Sequence, residues 1–254
     1  MKPKVGIIKL SSCDGCQAVF LDLHEFWENF EVDFWILGKT KRTLTSLDIA
    51  FIEGSVSTPE EEEFVKEVRS KTKTLVAIGA CATSGGIQAL RNFEEIHEYL
   101  KIYPKPNYIK ILDKSTPVKS HVKVDYEIHG CPINSRILEN FLKAYLHNKR
   151  PYIPDFPLCM ECKRKMNVCV MDAYGIPCLG PVTRAGCGSL CPSVKRGCYG
   201  CFGPFSGANV EVLVEWFKKL GISDEDIKNM FSNENSYSEE FRKVLEGKIE
   251  KPKD

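Results

Sequence analysis

The chain has 254 residues, enough for one substantial core or for a core with an appendage. With 43% hydrophobic residues and a formal charge of +1, it lacks the basic footprint of a nucleic-acid binder or of a protein held on an anionic membrane. No apolar run approaches the ~20 residues of a membrane span, and Met1–Leu10 carries neither an apolar targeting core nor twin arginines. The sequence therefore reads as cytoplasmic, without a signal peptide.

Val5–Leu10 predicts a short apolar strand. Cys13-Asp14-Gly15-Cys16 reads as a turn, and Gln17–Phe30 as a helix with apolar Val19, Leu23, Phe26 and Phe30. Val32–Leu37 and Asp48–Glu53 are the next strands. Thr58-Pro59-Glu60-Glu61 starts a helix that runs to about Arg69, with a capping threonine, proline at the first position and glutamate three after the cap. Gly38-Lys39-Thr40 is rejected as a phosphate-binding loop, because no glycine stands where that motif begins.

Thr74–Ile78 predicts a buried strand ending at Gly79-Ala80-Cys81, and Gly85-Gly86 breaks the chain before a helix near Ile87–Leu90. After the Pro-rich connection Tyr103–Pro117, Val122–Ile128 reads as extended and ends at His129-Gly130-Cys131-Pro132. His129 is expected beside a ligand or at the surface rather than as a ligand itself. Asn134–Leu146 is helical. Strands alternating with helices imply an α/β fold with a parallel sheet covered on both faces. Cys13 and Cys16, Cys81 and Cys131 each follow a predicted strand. The carboxyl ends of strands line the crevice of such a sheet, so these far-separated loops are expected to converge.

Residues 151–206 change character. Seven prolines and many glycines leave little room for regular elements, and large apolar residues are too few for a separate core. Val210–Leu220, then Asp224–Phe231 and Glu239–Leu245 capped by Ser223 and Ser238, read as helices, and the Lys-rich Lys248–Asp254 as a frayed end. The sequence divides into domains 1–150 and 151–254.

The chain has twelve cysteines: the four named above and Cys159, Cys162, Cys169, Cys178, Cys187, Cys191, Cys198 and Cys201. Four thiolates suit one cubane iron–sulfur cluster, so twelve suit three. A reducing compartment favours metal ligation over disulfides. The simplest partition gives one cluster Cys159, Cys162, Cys169 and Cys178, and the next Cys187, Cys191, Cys198 and Cys201, although C-x-x-C pairs can trade corners. Two other readings remain open on the residues alone. Cys159-x-x-Cys162 with Cys198-x-x-Cys201 looks like a zinc ribbon, but strands four cysteines between the pairs. Cys13-Asp14-Gly15-Cys16 could be a redox dithiol. Lys163-Arg164-Lys165 reads as a solvated basic turn, with steering of an acidic redox partner as the sharper alternative. No residue set for covalent or acid–base catalysis stands out.

Ser12-Cys13-Asp14-Gly15-Cys16, Gly79-Ala80-Cys81-Ala82-Thr83-Ser84-Gly85-Gly86, Gly130-Cys131-Pro132 and the eight-cysteine segment resemble the small subunit of nickel–iron hydrogenases. Within that family the chain is most similar to the delta subunit of cytoplasmic, NADP-linked archaeal sulfhydrogenases. The resemblance implies a flavodoxin-like N-terminal domain with a proximal 4Fe-4S cluster on Cys13, Cys16, Cys81 and Cys131. It implies an irregular second domain with C-terminal helices, carrying a medial cluster on Cys187, Cys191, Cys198 and Cys201 and a distal one on Cys159, Cys162, Cys169 and Cys178. Three 4Fe-4S clusters would relay electrons between a nickel–iron large subunit and a flavin (FAD), NAD(P)-binding partner with an iron–sulfur subunit, as a heterotetramer catalysing H2 oxidation and proton reduction, with sulfur reduction a further activity of the group. Periplasmic relatives have histidine where Cys159 stands, usually proline in place of Cys191, and glutamate in place of Ser12. A zinc-stabilised interaction module and a free-standing ferredoxin-like carrier are the alternatives.

Overall fold

In the computed structural model, which describes residues 2–39, 43–105 and 108–249, the strands are β1 (Lys4–Lys9), β2 (Glu31–Trp35), β3 (Leu47–Glu53), β4 (Thr72–Ile78) and β5 (Tyr126–Ile128). They form one sheet in the order β2-β1-β3-β4-β5, and every neighbouring pair is parallel. This is the flavodoxin-like order, in which the chain reverses direction across the sheet between β1 and β3. A crevice therefore opens at the carboxyl ends of those two strands.

Strand alternation sorts the apolar side chains into two layers. Val5, Ile7, Ile49, Phe51, Val76 and Ile78 meet α1 (Gly15–Leu21), α2 (His24–Asn29) and α6 (Ser135–Leu146). Ile8, Ala50, Ile52, Leu75 and Ala77 face the other way, towards Val65 and Val68 of α3 (Pro59–Lys71). Phe51 of β3 stands edge-on to Phe20 of α1 and Phe141 of α6, with ring centroids 5.1 and 5.9 Å apart. All three rings are fully buried, each contributing about 1.5–3 kcal/mol by burial.

The Thr58 capping box forms as expected, with Thr58 and Glu61 satisfying each other's backbone N–H. The single helix expected over 17–30 is instead two, α1 and α2, separated at Asp22-Leu23. On one straight helix Phe20 and Phe26 would point about 120° apart; the break lets them bury together, centroids 5.0 Å apart. The extended stretch expected over 122–128 contributes only the three residues of β5 to the sheet. Just before it, the Asp125 carboxylate accepts the Leu75 N–H at 2.8 Å and so closes the ladder. Burial works against that charge, but the Leu75 N–H and Arg69 hold the carboxyl below its ordinary range.

β4 runs into α4 (Gly79–Ser84), a 3-10 turn follows at Ile87–Phe93, and α5 (Ile96–Leu100) was not foreseen. The proline-rich segment holds more regular structure than its composition suggests: α7 (Cys159–Arg164), α8 (Val170–Tyr174) and α9 (Leu190–Ser193). It also has a small apolar cluster, with Leu158 and Val170 packed on Cys178 and Cys198. Leu179 and Val182 join the core of α10 (Val210–Lys219), α11 (Asp224–Phe231) and α12 (Glu239–Leu245). Ser223 caps α11 as expected. Ser238 does not cap α12, because its hydroxyl donates to the Asn235 carbonyl at 2.7 Å. Thr40 and residues 250–254 lie outside the described residues. Among the described residues no helix is long and apolar enough to cross a membrane.

Candidate metal centres

Strand ends position the early cysteines. Cys16 is the second residue of α1, shortly after β1; Cys81 is the third of α4, directly after β4; Cys131 comes three residues after β5. The Ala80 N–H donates to the Gly130 carbonyl at 2.8 Å, pinning the last two loops together. Gly79 has φ +80°, and a methyl group there would strike the Cys16 sulfur. Only glycine lets the end of β4 pass so close to that thiol. Gln88 joins the Cys81 thiol to the Ser11 carbonyl, which lies two residues before Cys13.

Glu53, the last residue of β3, is 1% exposed and accepts the N–H groups of Cys16 and Gln17, both at 3.2 Å. It satisfies two of the donors left open at the start of α1. Burial raises its pKa, against the pull of the Cys16 and Gln17 groups. Sequence reasoning passed over Glu53; the available signal was a carboxylate ending an otherwise apolar buried strand.

Burial pushes the Cys81 thiol up to about 11 and Cys131 up to about 12, and raises Cys16 further still. Glu53, Cys81 and Cys131 act on Cys16, while Cys13 acts on Cys81 and Cys131. The four early thiols are thus electrostatic neighbours.

The late cysteines lie near one another, and their charges act within the two expected sets and across them. Cys159, raised to about 11 by burial, also feels Cys178, Cys162 and Cys169. The Cys178 and Cys159 sulfurs flank Gly180, where a methyl group would stand 3.2 and 3.6 Å from them. Cys201, raised to about 12 by burial, feels Cys187 and Cys191. Cys198 feels Cys178 more than Cys201, Cys178 feels Cys169 and Cys191, and Cys187 feels Cys191. Interactions also run between the expected sets. Cys201 feels Cys131 of the early set, and the Cys198 N–H donates to the Cys178 sulfur at 3.2 Å.

All twelve cysteines are free thiols. Backbone N–H groups point at sulfur in the second half: those of Gly180 and Cys198 at Cys178, and that of Gly200 at Cys198. Among the described residues no three His, Cys, Asp or Glu side chains stand close enough to share one metal ion. Soft thiol donors, with backbone N–H groups turned to the Cys178 and Cys198 sulfurs, fit an iron–sulfur core. Such a core would deprotonate thiols that burial otherwise keeps neutral.

Two further residues border these sets. His129 is largely buried rather than a surface side chain; burial, then Arg184 and Lys119, lowers its pKa to about 3, and its Nδ1 has no hydrogen-bond partner among the described residues. Glu234 lies on a strap held by Asn233 Nδ2 on the Tyr199 carbonyl and Asn235 Nδ2 on the Gly200 carbonyl. Its charge reaches Cys81, Cys131 and Cys201, two sets at once. Nothing in the sequence marked it, because its neighbours there are ordinary polar residues.

The family model described as NADH ubiquinone oxidoreductase, 20 Kd subunit, matches residues 13–145. Sulfhydrogenase 2 subunit delta of Pyrococcus furiosus is 34% identical over 229 residues, covering 88% of this chain and 95% of that protein. A chain of a solved NAD+-reducing [NiFe]-hydrogenase in the H2-reduced state superposes with a TM-score of 0.55 at 28% identity, over 61% of this chain and 96% of the other. A chain of the actinobacterial-type NiFe-hydrogenase from Ralstonia eutropha H16 gives 0.57 at 16% identity over 99% and 92%, a likeness of fold that extends through the second half. By its matched motifs, its sheet and these relatives, the chain belongs to the family of nickel–iron hydrogenase small subunits and is part of an oxidoreductase complex.

Proposed function

We propose that this chain is the electron-relay subunit of a cytoplasmic nickel–iron hydrogenase. Cys13, Cys16, Cys81 and Cys131 hold a proximal 4Fe-4S cluster, Cys187, Cys191, Cys198 and Cys201 a medial one, and Cys159, Cys162, Cys169 and Cys178 a distal one. The observation that carries this reading is the succession of contacts between sets. The Cys131 charge acts on Cys201, and the Cys198 N–H donates to the Cys178 sulfur, which supports a succession of the three sets in that order. A line of adjacent redox centres moves electrons; it does not bind an organic substrate.

Residues 1–150 then form the domain holding the first cluster, and 151–254 the domain holding the other two. A large subunit supplies the nickel–iron centre where H2 is made or split. A flavin-containing, NAD(P)-binding partner with an iron–sulfur subunit takes the electrons, in a heterotetramer. The likeness to a chain of an NAD+-reducing [NiFe]-hydrogenase supports that coupling.

Anaerobic purification from the native cells through a tag on this chain tests the reading. A nickel-containing chain and a flavin should emerge with it in fixed proportion. A chain that emerges alone, without nickel, contradicts the reading and favours a free-standing carrier.

A further inference from the structure

Asn167 lies at the meeting point of two cysteine-bearing helices. Its backbone N–H donates to the Cys162 carbonyl at 3.0 Å, at the end of α7. Its side-chain amide donates to the hydroxyls of Ser189 and Ser193, at 3.2 and 3.1 Å, at the two ends of α9. The residues next to these three in sequence are apolar and face outward: Met166 is 90% exposed, Val168 60%, Leu190 67% and Val194 64%. The Asn167 hydrogen bonds bring together the two segments that carry these four exposed side chains. Cys169, itself exposed, and Cys191 adjoin the same residues.

Cations ring this apolar centre. Lys163, Arg164 and Lys165 close α7, and Lys195 and Arg196 follow α9; all five are exposed. Lys165 Nζ reaches to within 3.7 Å of the Cβ position of Gly188, so it spans from one helix to the start of the other. Arg164 rests over the Phe156 ring. Among the described residues no carboxylate pairs with Lys163, Lys165, Lys195 or Arg196. The nearby Glu161 is turned inward, where its two oxygens accept the N–H groups of Gly186 and Ser189. Asp172 of α8 is the one other acidic residue between 158 and 196. Five outward cations beside one outward carboxylate make a local basic field on a chain whose net charge is only +1.

We propose that this face is the docking site for a redox protein whose own contact surface is acidic. The inference rests on the relay reading and adds the place and the charge of the partner. Apolar residues at the centre with charges at the rim match the anatomy of a protein–protein contact. A basic rim draws an acidic partner in and orients it, raising the association rate by 10- to 10³-fold at low salt. The partner's centre comes to rest over Cys162, Cys169 and Cys191, so electrons leave the chain here.

The test uses the full chain with its clusters assembled anaerobically and a reduced, acidic bacterial-type ferredoxin as probe. Stopped-flow mixing measures the second-order exchange rate against ionic strength, with methyl viologen radical as a small cationic control. The rate with ferredoxin should fall at least tenfold between low and high salt, and fall as far at low salt in a Lys165→Glu, Lys195→Glu, Arg196→Glu variant. The viologen rate of the variant should not fall. A Met166→Ser, Leu190→Ser variant should weaken exchange while keeping its salt dependence. A parent that holds its clusters but is indifferent to salt and to charge reversal overturns the docking face and leaves the relay standing. A parent chain without iron overturns both.

Discussion

The backbone N–H of Cys198 donates to the Cys178 sulfur at 3.2 Å, across the boundary between two proposed quartets. Gly180 adds a second donor to the same sulfur at 3.4 Å. The wall between the last two sets is thus a single stretch of backbone. Hydrogen bonds to cluster sulfurs are among the terms that set a reduction potential. Cys178→Ser should therefore remove or convert one cluster and also displace the potential of its neighbour. Cys81→Ser, on the sheet side, should alter one cluster and leave the two late ones unchanged. Redox titration followed by electron paramagnetic resonance separates these outcomes. Identical spectra from the two variants would contradict the separation into sets.

The proposed partition has Cys191 complete a set with Cys187, Cys198 and Cys201; its charge acts on Cys187 and Cys201, and on Cys178 as well. Cys191→Pro leaves three thiolates. The variant should show a new three-iron signal on oxidation and a raised potential at that position, because cluster type and charge both change. Hydrogen turnover should fall less than on loss of the whole cluster. A spectrum unchanged from the parent would show that Cys191 is not a ligand, and the division of the late cysteines would have to be redrawn.

Glu234 sits where two sets adjoin, and its charge acts on Cys81, Cys131 and Cys201. A negative charge there opposes adding an electron to either neighbouring cluster. Glu234→Gln should shift two potentials upward together and leave that of the Cys159 set in place. A shift confined to one cluster, or none, would remove Glu234 from between them.

Iron removal should act unequally on the two halves. The sheet has large apolar layers on both faces, while residues around the late cysteines rest on a small cluster of Leu158, Val170, Cys178 and Cys198 and join the core of the last three helices through Leu179 and Val182. There the ligation energy doubles as folding energy. After chelation, cleavage within 151–206 should quicken by roughly tenfold for each 1.4 kcal/mol of local stability lost, with the sheet more resistant. Limited proteolysis read by mass spectrometry checks this; equal resistance in both halves would contradict it.

The sheet was legible because its strands are continuous apolar runs bounded by turns, and α3 because Thr58, Pro59 and Glu61 spell out its start. The convergence of Cys13, Cys16, Cys81 and Cys131 followed from the strand ends that carry them. The break between α1 and α2 was not legible, because the spacing of Val19, Leu23, Phe26 and Phe30 suits one helix, and only the pairing of Phe20 with Phe26 calls for two. Glu53 and Glu234 were missed for a related reason. Each matters through what the fold brings near it, the start of α1 in one case and two cysteine loops in the other. The ends of α7 and α9 meet through Asn167, Ser189 and Ser193, residues too common in loops to stand out in a sequence.

If twelve thiols hold three iron–sulfur clusters, metal content shows it most directly. Iron and zinc should be determined per chain on anaerobically prepared protein, alongside acid-labile sulfide. Three complete quartets predict about twelve irons and about twelve sulfides per chain, with no stoichiometric zinc. Zinc in stoichiometric amount with little iron would contradict the relay and leave a zinc-stabilised module in its place.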